Sequence, residues 1–343
     1  MSAGAGTQLR AARGRTRRSF IGAAAATGVT GALAGPLAGS LFGARPDRRC
    51  APTPPGIPTD AIAAAPDGRL IWTTDARATT ISAHRARDLA RRRSIDVGGA
   101  PTGIAISPDG QVALVTTAFY DHPGLAVVDL HTGSVDRLDT GPEPHAVAFA
   151  PDGRGAWVAG GGRDGTLVRV EPLPGRVHAP LALGAHPRGL AILPDGKHAL
   201  VALRGDAAVA LVSLGRSGRV RPIRTAPFPH ELAVSPDGKR AVVTHSGFGD
   251  RTVSIVDLDE RRVVRRLVVG PDPGGVAYSR TGAHTLVACT GGGFVAVLDD
   301  RGRRRRRVAV GGAPRSITVA GTSGIVADKL SGSLVRIRVG ALA

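Results

Sequence analysis

The sequence predicts an all-β fold, a seven-bladed β-propeller with four-stranded antiparallel blades. A unit recurs seven times at spacings of 41 to 44 residues, and short apolar alternations run through each copy. A Pro-Asp-Gly turn recurs in the first five copies. Repeats of this length with four short strands are typical of propeller blades. The units begin at Pro58, Pro101, Pro144, Pro187, Pro229, Pro273 and Pro314.

The fifth unit shows how one blade is encoded. Residues 229–234 alternate in polarity, and Pro236-Asp237-Gly238 follows as a tight turn. Proline fixes φ there, aspartate accepts hydrogen bonds from the local backbone, and glycine adopts positive φ. Residues 241–245, 252–258 and 263–270 then predict three more strands.

The seventh unit has no segment for a fourth strand. An open ring would leave an exposed sheet edge. We therefore expect residues 45–57, chiefly Arg49 to Pro55, to lie along the outer edge of the seventh blade. Prolines are tolerated in such an edge position.

The N-terminus predicts export. No acid occurs in residues 1–45, and Arg17-Arg18 stand just ahead of Phe20 and Ile21. A weakly apolar stretch follows, rich in glycine and too polar for a good membrane anchor. This arrangement resembles the twin-arginine signal of bacteria.

The expected domain organisation follows from these features. Residues 1–44 form a cleaved twin-arginine signal peptide, 45–57 a linker with the ring-closing strand, and 58–343 the propeller. The mature protein is expected to be extracellular, periplasmic or associated with the cell wall, without a transmembrane span.

The strand sequences resemble a known repeat. Second strands such as 113–117 (ALVTT) and 241–245 (AVVTH), and third strands such as 125–130 (LAVVDL) and 253–258 (VSIVDL), are similar to the YVTN β-propeller repeat. The resemblance covers about residues 58–340 and implies seven blades. It implies little about activity, because propellers serve as scaffolds, binding proteins and enzymes.

Composition limits the chemistry. Aromatic residues make up only 3% of the chain, so the core must consist mainly of Val, Ala, Leu and Ile. Without five arginines of the signal, 40 basic residues face 27 acidic ones, a balance that favours anionic partners. An arginine-rich composition inherited from a GC-rich genome is the alternative explanation.

The spacing of the cysteines is not typical of a metal site. Cys50 and Cys289 are the two cysteines of the chain, and neither belongs to a Cys-x-x-Cys motif or a Cys/His cluster. We therefore expect no metal site and no cofactor. In an oxidising compartment a Cys50–Cys289 disulfide is one outcome, and two free thiols are the other.

The position after each opening proline indicates a candidate ligand site. These residues should gather at the mouth of the channel, because the first strand of each blade lines it. Arginine can clamp a carboxylate or phosphate, and histidine can transfer a proton, although each histidine can equally bond a neighbouring carbonyl. With loops between second and third strands included, the ligand-binding candidates are Thr102, Tyr120, His122, His145, Arg188, His230, His245 and Arg315.

A second candidate site lies on the outer edge. The polyanion-binding candidates are Arg303, Arg304, Arg305, Arg306 and Arg307. Similar runs occupy the outer strands of the first and fifth units. Arginines there either protect a sheet edge from aggregation or bind polyanions such as cell-envelope polymers. Stacking aromatics are absent from these stretches, so sequence-specific nucleic-acid binding is not expected.

Catalytic motifs are absent. The chain has no Gly-x-Ser-x-Gly elbow, no HExxH and no phosphate-binding loop before a helix. We therefore expect a non-catalytic scaffold that binds a small anionic ligand or a protein partner. The alternative is an enzyme similar to propeller lactonases, in which His145, His230 and Glu231 would supply acid–base catalysis on a sugar-acid lactone.

Changing Arg17 and Arg18 together to lysine tests the export signal. We expect the double variant to accumulate inside the cell, because the receptor reads the arginine pair. Immunoblots of cell and secreted fractions measure this. The matched control changes Arg13 and Arg15 to lysine and should leave export intact. Continued secretion of the Arg17/Arg18 variant would refute the assignment.

Overall fold

The computed structural model describes residues 60–75, 77–119, 123–215 and 217–339. These residues form seven antiparallel sheets, each built from consecutive strands in a simple up-and-down order. One short 3₁₀ turn, Thr290–Gly292, is the only helical segment in the described ranges. The predicted all-β, seven-bladed propeller is confirmed.

The described residues of the first three blades form thirteen strands. They are β1 (Ile62–Ala64), β2 (Leu70–Asp75), β3 (Thr80–Arg85), β4 (Arg91–Asp96), β5 (Ala100–Ile106), β6 (Val112–Phe119), β7 (Gly124–Asp129), β8 (Val135–Leu138), β9 (Pro144–Phe149), β10 (Ala156–Gly160), β11 (Thr166–Glu171), β12 (Arg176–Val177) and β13 (Leu181–Ala182). The outer strand of blade three is split, because β12 and β13 both pair with β11.

The other four blades follow the same plan. Their strands are β14 (Pro187–Ile192), β15 (His198–Leu203), β16 (Ala208–Ser213), β17 (Val220–Arg224), β18 (Pro229–Val234), β19 (Arg240–His245), β20 (Thr252–Asp257), β21 (Arg262–Val268), β22 (Pro273–Tyr278), β23 (His284–Cys289), β24 (Phe294–Asp299), β25 (Arg304–Ala309), β26 (Pro314–Ala320), β27 (Ser323–Asp328) and β28 (Leu334–Arg338). Blade seven has three strands in the described part of the chain.

The Pro-Asp-Gly turns form as their chemistry predicts. Asp237 Oδ1 accepts a hydrogen bond from Lys239 N at 3.1 Å, and Gly238 adopts a φ of 72°. A Cβ on Gly238 would lie 3.5 Å from Cδ of Pro194, which belongs to the preceding blade. The turns therefore both connect strands and pack against one another around the ring.

Apolar packing between neighbouring blades holds the ring together. The described residues contain seven buried clusters, one at each junction between consecutive blades. At the junction of blades seven and one, Ile71 and Leu89 pack against Ile325 and Leu334, and all four are buried. Burial of such side chains is the main favourable contribution to folding.

Ring closure also uses hydrogen bonds between blades seven and one. Ser316 Oγ donates to the carbonyl oxygen of Asp60, and Arg336 Nη1 donates to the carbonyl oxygen of Arg87 at 2.7 Å. The predicted ring-closing strand of residues 45–57 lies outside the described residues.

No helix in the described part of the chain is long and apolar enough to cross a membrane.

Candidate functional site

Bulges at the start of the inner strands direct side chains into the channel. The pairing register shifts between Pro187 and Leu190 in β14, and between Pro229 and Leu232 in β18. Neighbouring inner strands approach closely there, since a Cβ on Gly189 would lie 2.7 Å from the carbonyl oxygen of His230. Arg188 and His230, the residues after these two prolines, therefore lie at the channel mouth, where the backbones of β14 and β18 are close together.

A cavity of about 180 Å³ opens at this mouth. It brings together five of the predicted ligand-binding residues and the alternative catalytic residue Glu231. The lining residues are Asp60, Thr102, His145, Arg188, His230, Glu231, Arg315 and Ser316. They come from blades one to five and blade seven, although they are far apart in the sequence.

Two arginine–histidine pairs dominate the cavity. Arg188 Nη1 lies 2.8 Å from Nδ1 and 2.5 Å from Nε2 of His145, so the unprotonated ring nitrogen of either tautomer can accept, and Arg315 Nη2 lies 2.9 Å from Nε2 of His230. A guanidinium can only donate, so the imidazole nitrogen that receives each bond carries no proton. Both histidines are thereby held in a neutral form that orients the arginines.

The pKa values of the histidines agree with this geometry. Burial, together with the charge of Arg188, lowers the pKa of His145 to about 4. Burial and the charges of Arg315 and Arg188 place the pKa of His230 well below its usual value. The two imidazoles are therefore uncharged at neutral pH and do not compete for an anion.

The two guanidiniums lack a direct counter-ion. No carboxylate of the described residues lies within ion-pair distance of Arg188 or Arg315. Glu143 and Glu231 act on Arg188 only at longer range, whereas burial and the charges of Arg204 and Arg315 lower its pKa. Arginine stays charged in proteins. The cavity thus holds two positive charges that a bound anion would neutralise.

Glu231 lies at the side of the cavity. Its side chain is 45% exposed, and partial desolvation at the channel mouth raises the pKa of its carboxyl group. Its Oε1 lies 3.9 Å from Nδ1 of His230, which is buried and has no hydrogen-bond partner among the described residues.

Thr102 lines the cavity, but its hydroxyl group forms hydrogen bonds within the protein. Its Oγ1 lies 3.0 Å from Oγ1 of Thr116 and 3.3 Å from the carbonyl oxygen of Pro144. The side chain therefore links inner strands of blades two and three, and it completes the wall of the site.

His245 is not brought to the cavity. It is fully buried at the end of β19, where Nδ1 lies 3.1 Å from the carbonyl oxygen of Pro227 and Nε2 lies 2.8 Å from Ser254 Oγ. Both ring nitrogens bond to the protein itself. Two other candidates, Tyr120 and His122, lie outside the described residues.

The remaining predicted residues lie elsewhere. Arg303 is in the turn before β25, and Arg304, Arg305, Arg306 and Arg307 are in that outermost strand of blade six. Cys289 is fully buried, and burial raises the pKa of its thiol to about 12. Cys50, its partner in the possible disulfide, lies outside the described residues.

Sequence reasoning missed two lining residues, Asp60 and Ser316. Both stand at the second position after an opening proline, which is also the position of Glu231. In the other units glycine or alanine occupies that place. Polar residues at this second position were the signal that would have found them.

The described residues contain no group of three or more His, Cys, Asp or Glu side chains arranged to hold a metal ion.

The buried histidines predict a pH-dependent stability. The unfolded chain takes up protons on His145 near pH 6.5, and the folded chain does so only near pH 4. Stability should therefore be complete above pH 6.5 and fall as the pH drops toward 4, by up to about 3 kcal/mol for this residue. Chemical denaturation across this range measures the slope.

His145→Gln should flatten that slope, because glutamine can still accept from Arg188 but does not titrate. His131→Gln, at an exposed position, is the matched control and should retain the slope. An unchanged slope in the His145 variant would contradict the assignment.

Comparison with known proteins identifies the fold and no more. No family model matches the chain, and no curated protein matches it. Among solved structures, a chain described as Kuenenia stuttgartiensis Hydrazine Synthase superposes with a TM-score of 0.75 at 21% identity, covering 88% of this chain and 99% of that one. Likeness at this identity shows a shared propeller fold, which by itself does not specify function.

Proposed function

We propose that this protein is an exported β-propeller scaffold that binds a small anionic ligand at the mouth of its channel. One observation supports this proposal most strongly. The guanidiniums of Arg188 and Arg315 line a cavity, are oriented by neutral histidines, and have no carboxylate partner among the described residues. Both arginines are half-buried, and a charge that is partly removed from water gains from pairing, so an anion is the expected partner.

The cavity sets the size and chemistry of the ligand. Its volume of about 180 Å³ is slightly larger than the ~150 Å³ cavity that holds a benzene molecule. Arginine binds carboxylate and phosphate groups in a bidentate manner. Ser316 and Glu231 add polar groups for hydroxyls elsewhere on the ligand. A small organic acid or a small phosphate ester fits this description.

Export and the repeat family belong to the same proposal. The arginine pair at Arg17-Arg18 supports secretion by the twin-arginine pathway to the periplasm, the cell wall or the medium. The second- and third-strand sequences support a relation to YVTN repeats. A binding scaffold outside the cytoplasm is consistent with both.

Replacing Arg188 or Arg315 by glutamine tests the ligand site. Each variant should lose about ten- to hundredfold in affinity for small carboxylates or phosphates, because charged hydrogen bonds contribute about 1.5–3 kcal/mol. Isothermal titration of the full chain with a panel of organic acids, inorganic phosphate and sugar phosphates measures this.

The matched control is Arg163→Gln, which removes the same charge from an exposed loop position outside the cavity. It should bind like the unmodified protein. Affinity that survives in both cavity variants, or that falls equally in the control, would refute the proposed site.

A lactonase-like hydrolase is a second candidate, and the proximity of His230 to Glu231 in the cavity favours it. In that role His230 would act with Glu231 as an acid–base pair, while an arginine holds the carboxylate of a sugar acid. The present bond from Arg315 to Nε2 of His230 would first have to open.

Turnover of sugar lactones, followed by acid release at constant pH, decides between binding and hydrolysis. If the protein is a hydrolase, His230→Ala and Glu231→Gln should each abolish turnover, while His178→Ala on blade three should not. Activity that is absent from the unmodified protein, or unchanged in both variants, removes this candidate.

A further inference from the structure

A seam joins the outer parts of blades five and six. The turn between β24 and β25 packs on blade five, because a Cβ on Gly302 would overlap Cδ1 of the buried Ile255 in β20. Ile255 pairs directly with Arg265 of β21. Arg240 Nη1 also donates to the carbonyl oxygen of Asp300 in that turn, at 2.9 Å. The outer strands β21 and β25 are therefore held on adjoining parts of the rim.

This seam carries a dense set of arginines, which we name the arginine wall. Strand β21 contributes three arginines and strand β25 four, and neither strand contains an acid. The turn before β25 adds two more. The members are Arg262, Arg265, Arg266, Arg301, Arg303, Arg304, Arg305, Arg306 and Arg307.

Most of the wall is not neutralised by the protein. Ion pairs among the described residues involve Arg262, with Glu260, and Arg303, with Asp299. Arg307 lies over the ring of Phe294 at 4.7 Å. Arg265, Arg266, Arg304 and Arg305 are exposed and form no ion pair within the described chain. Successive side chains of a strand point to opposite faces, yet all four reach solvent because the strands are outermost.

The outer strand of blade one differs in how it uses its arginines. Arg93 donates to the carbonyl oxygens of Leu130, His131 and Thr132 at 2.8–3.0 Å, so it fastens blade one to blade two. Arg265, Arg266, Arg304 and Arg305 have no such structural bonds in the described chain. Bonding within the fold therefore does not account for them, and protection of the sheet edge or binding of a polyanion remains as their role.

We propose that the arginine wall binds a linear phosphodiester polymer through its phosphates. Arg265 and Arg266 are consecutive and exposed, as are Arg304 and Arg305, so each outermost strand presents two adjacent guanidiniums, which suits a polymer with closely spaced anions. Guanidinium groups match phosphate geometry and remain charged at all physiological pH values. No exposed aromatic side chain interrupts β21 or β25, so recognition involves the backbone of the polymer and not bases.

The test measures binding of the full chain to two phosphodiester polymers, a labelled oligothymidylate and a glycerol-phosphate polymer. Both should bind, and each should displace the other. Changing Arg265, Arg266, Arg304 and Arg305 to glutamine should weaken binding about tenfold or more. Affinity should also depend less steeply on salt, so that the slope of log affinity against log salt concentration is smaller in magnitude by about 2–3. Fluorescence anisotropy at several salt concentrations provides both quantities.

The matched control changes Arg91, Arg92, Arg163 and Arg176 to glutamine, which removes four exposed charges elsewhere. It should retain affinity close to that of the unmodified protein. Equal losses in both variants would show attraction to net charge alone and overturn the proposal. Binding of oligothymidylate without binding of the glycerol-phosphate polymer would overturn recognition through phosphates. Replacing Arg188 in the cavity should leave polymer binding unchanged, so the proposal for the arginine wall and the proposal for the channel site can be tested separately.

Discussion

Apolar packing between consecutive blades closes the propeller ring and positions its channel. Each blade is a small twisted sheet that cannot bury both of its faces alone, and it does so only by packing on two neighbours. The seam formed by Ile71, Leu89, Ile325 and Leu334 closes the ring between the last blade and the first. Closure brings residues from opposite ends of the sequence to one channel mouth.

The same packing determines the electrostatics of the channel. Inner strands approach closely at Gly189, where a Cβ would lie 2.7 Å from the carbonyl oxygen of His230. At the channel mouth Arg188 reaches His145 of blade three, and Arg315 reaches His230 of blade five. Neutral histidines orient the charges without cancelling them. The rim has a different character, because the outer strands face solvent and can carry many arginines at little desolvation cost.

The architecture could be predicted from the sequence, since every blade repeats the alternating strands and the first five share the Pro-Asp-Gly turn. It also located much of the cavity, because the residue after each opening proline keeps one position in every blade. His145, Arg188, His230 and Arg315 were found in this way. His245 resembled them only as a histidine at a strand end. Its burial depends on Ser254 of the neighbouring strand, a tertiary contact that no local pattern encodes.

Arg188 and Arg315 are proposed to form one anion site together. A crystal of the protein soaked in selenate can test this, because anomalous scattering locates selenium without reference to activity. We expect a selenium peak in the cavity, within hydrogen-bonding distance of both guanidiniums. Peaks confined to the outer arginines, with none in the channel mouth, would contradict it.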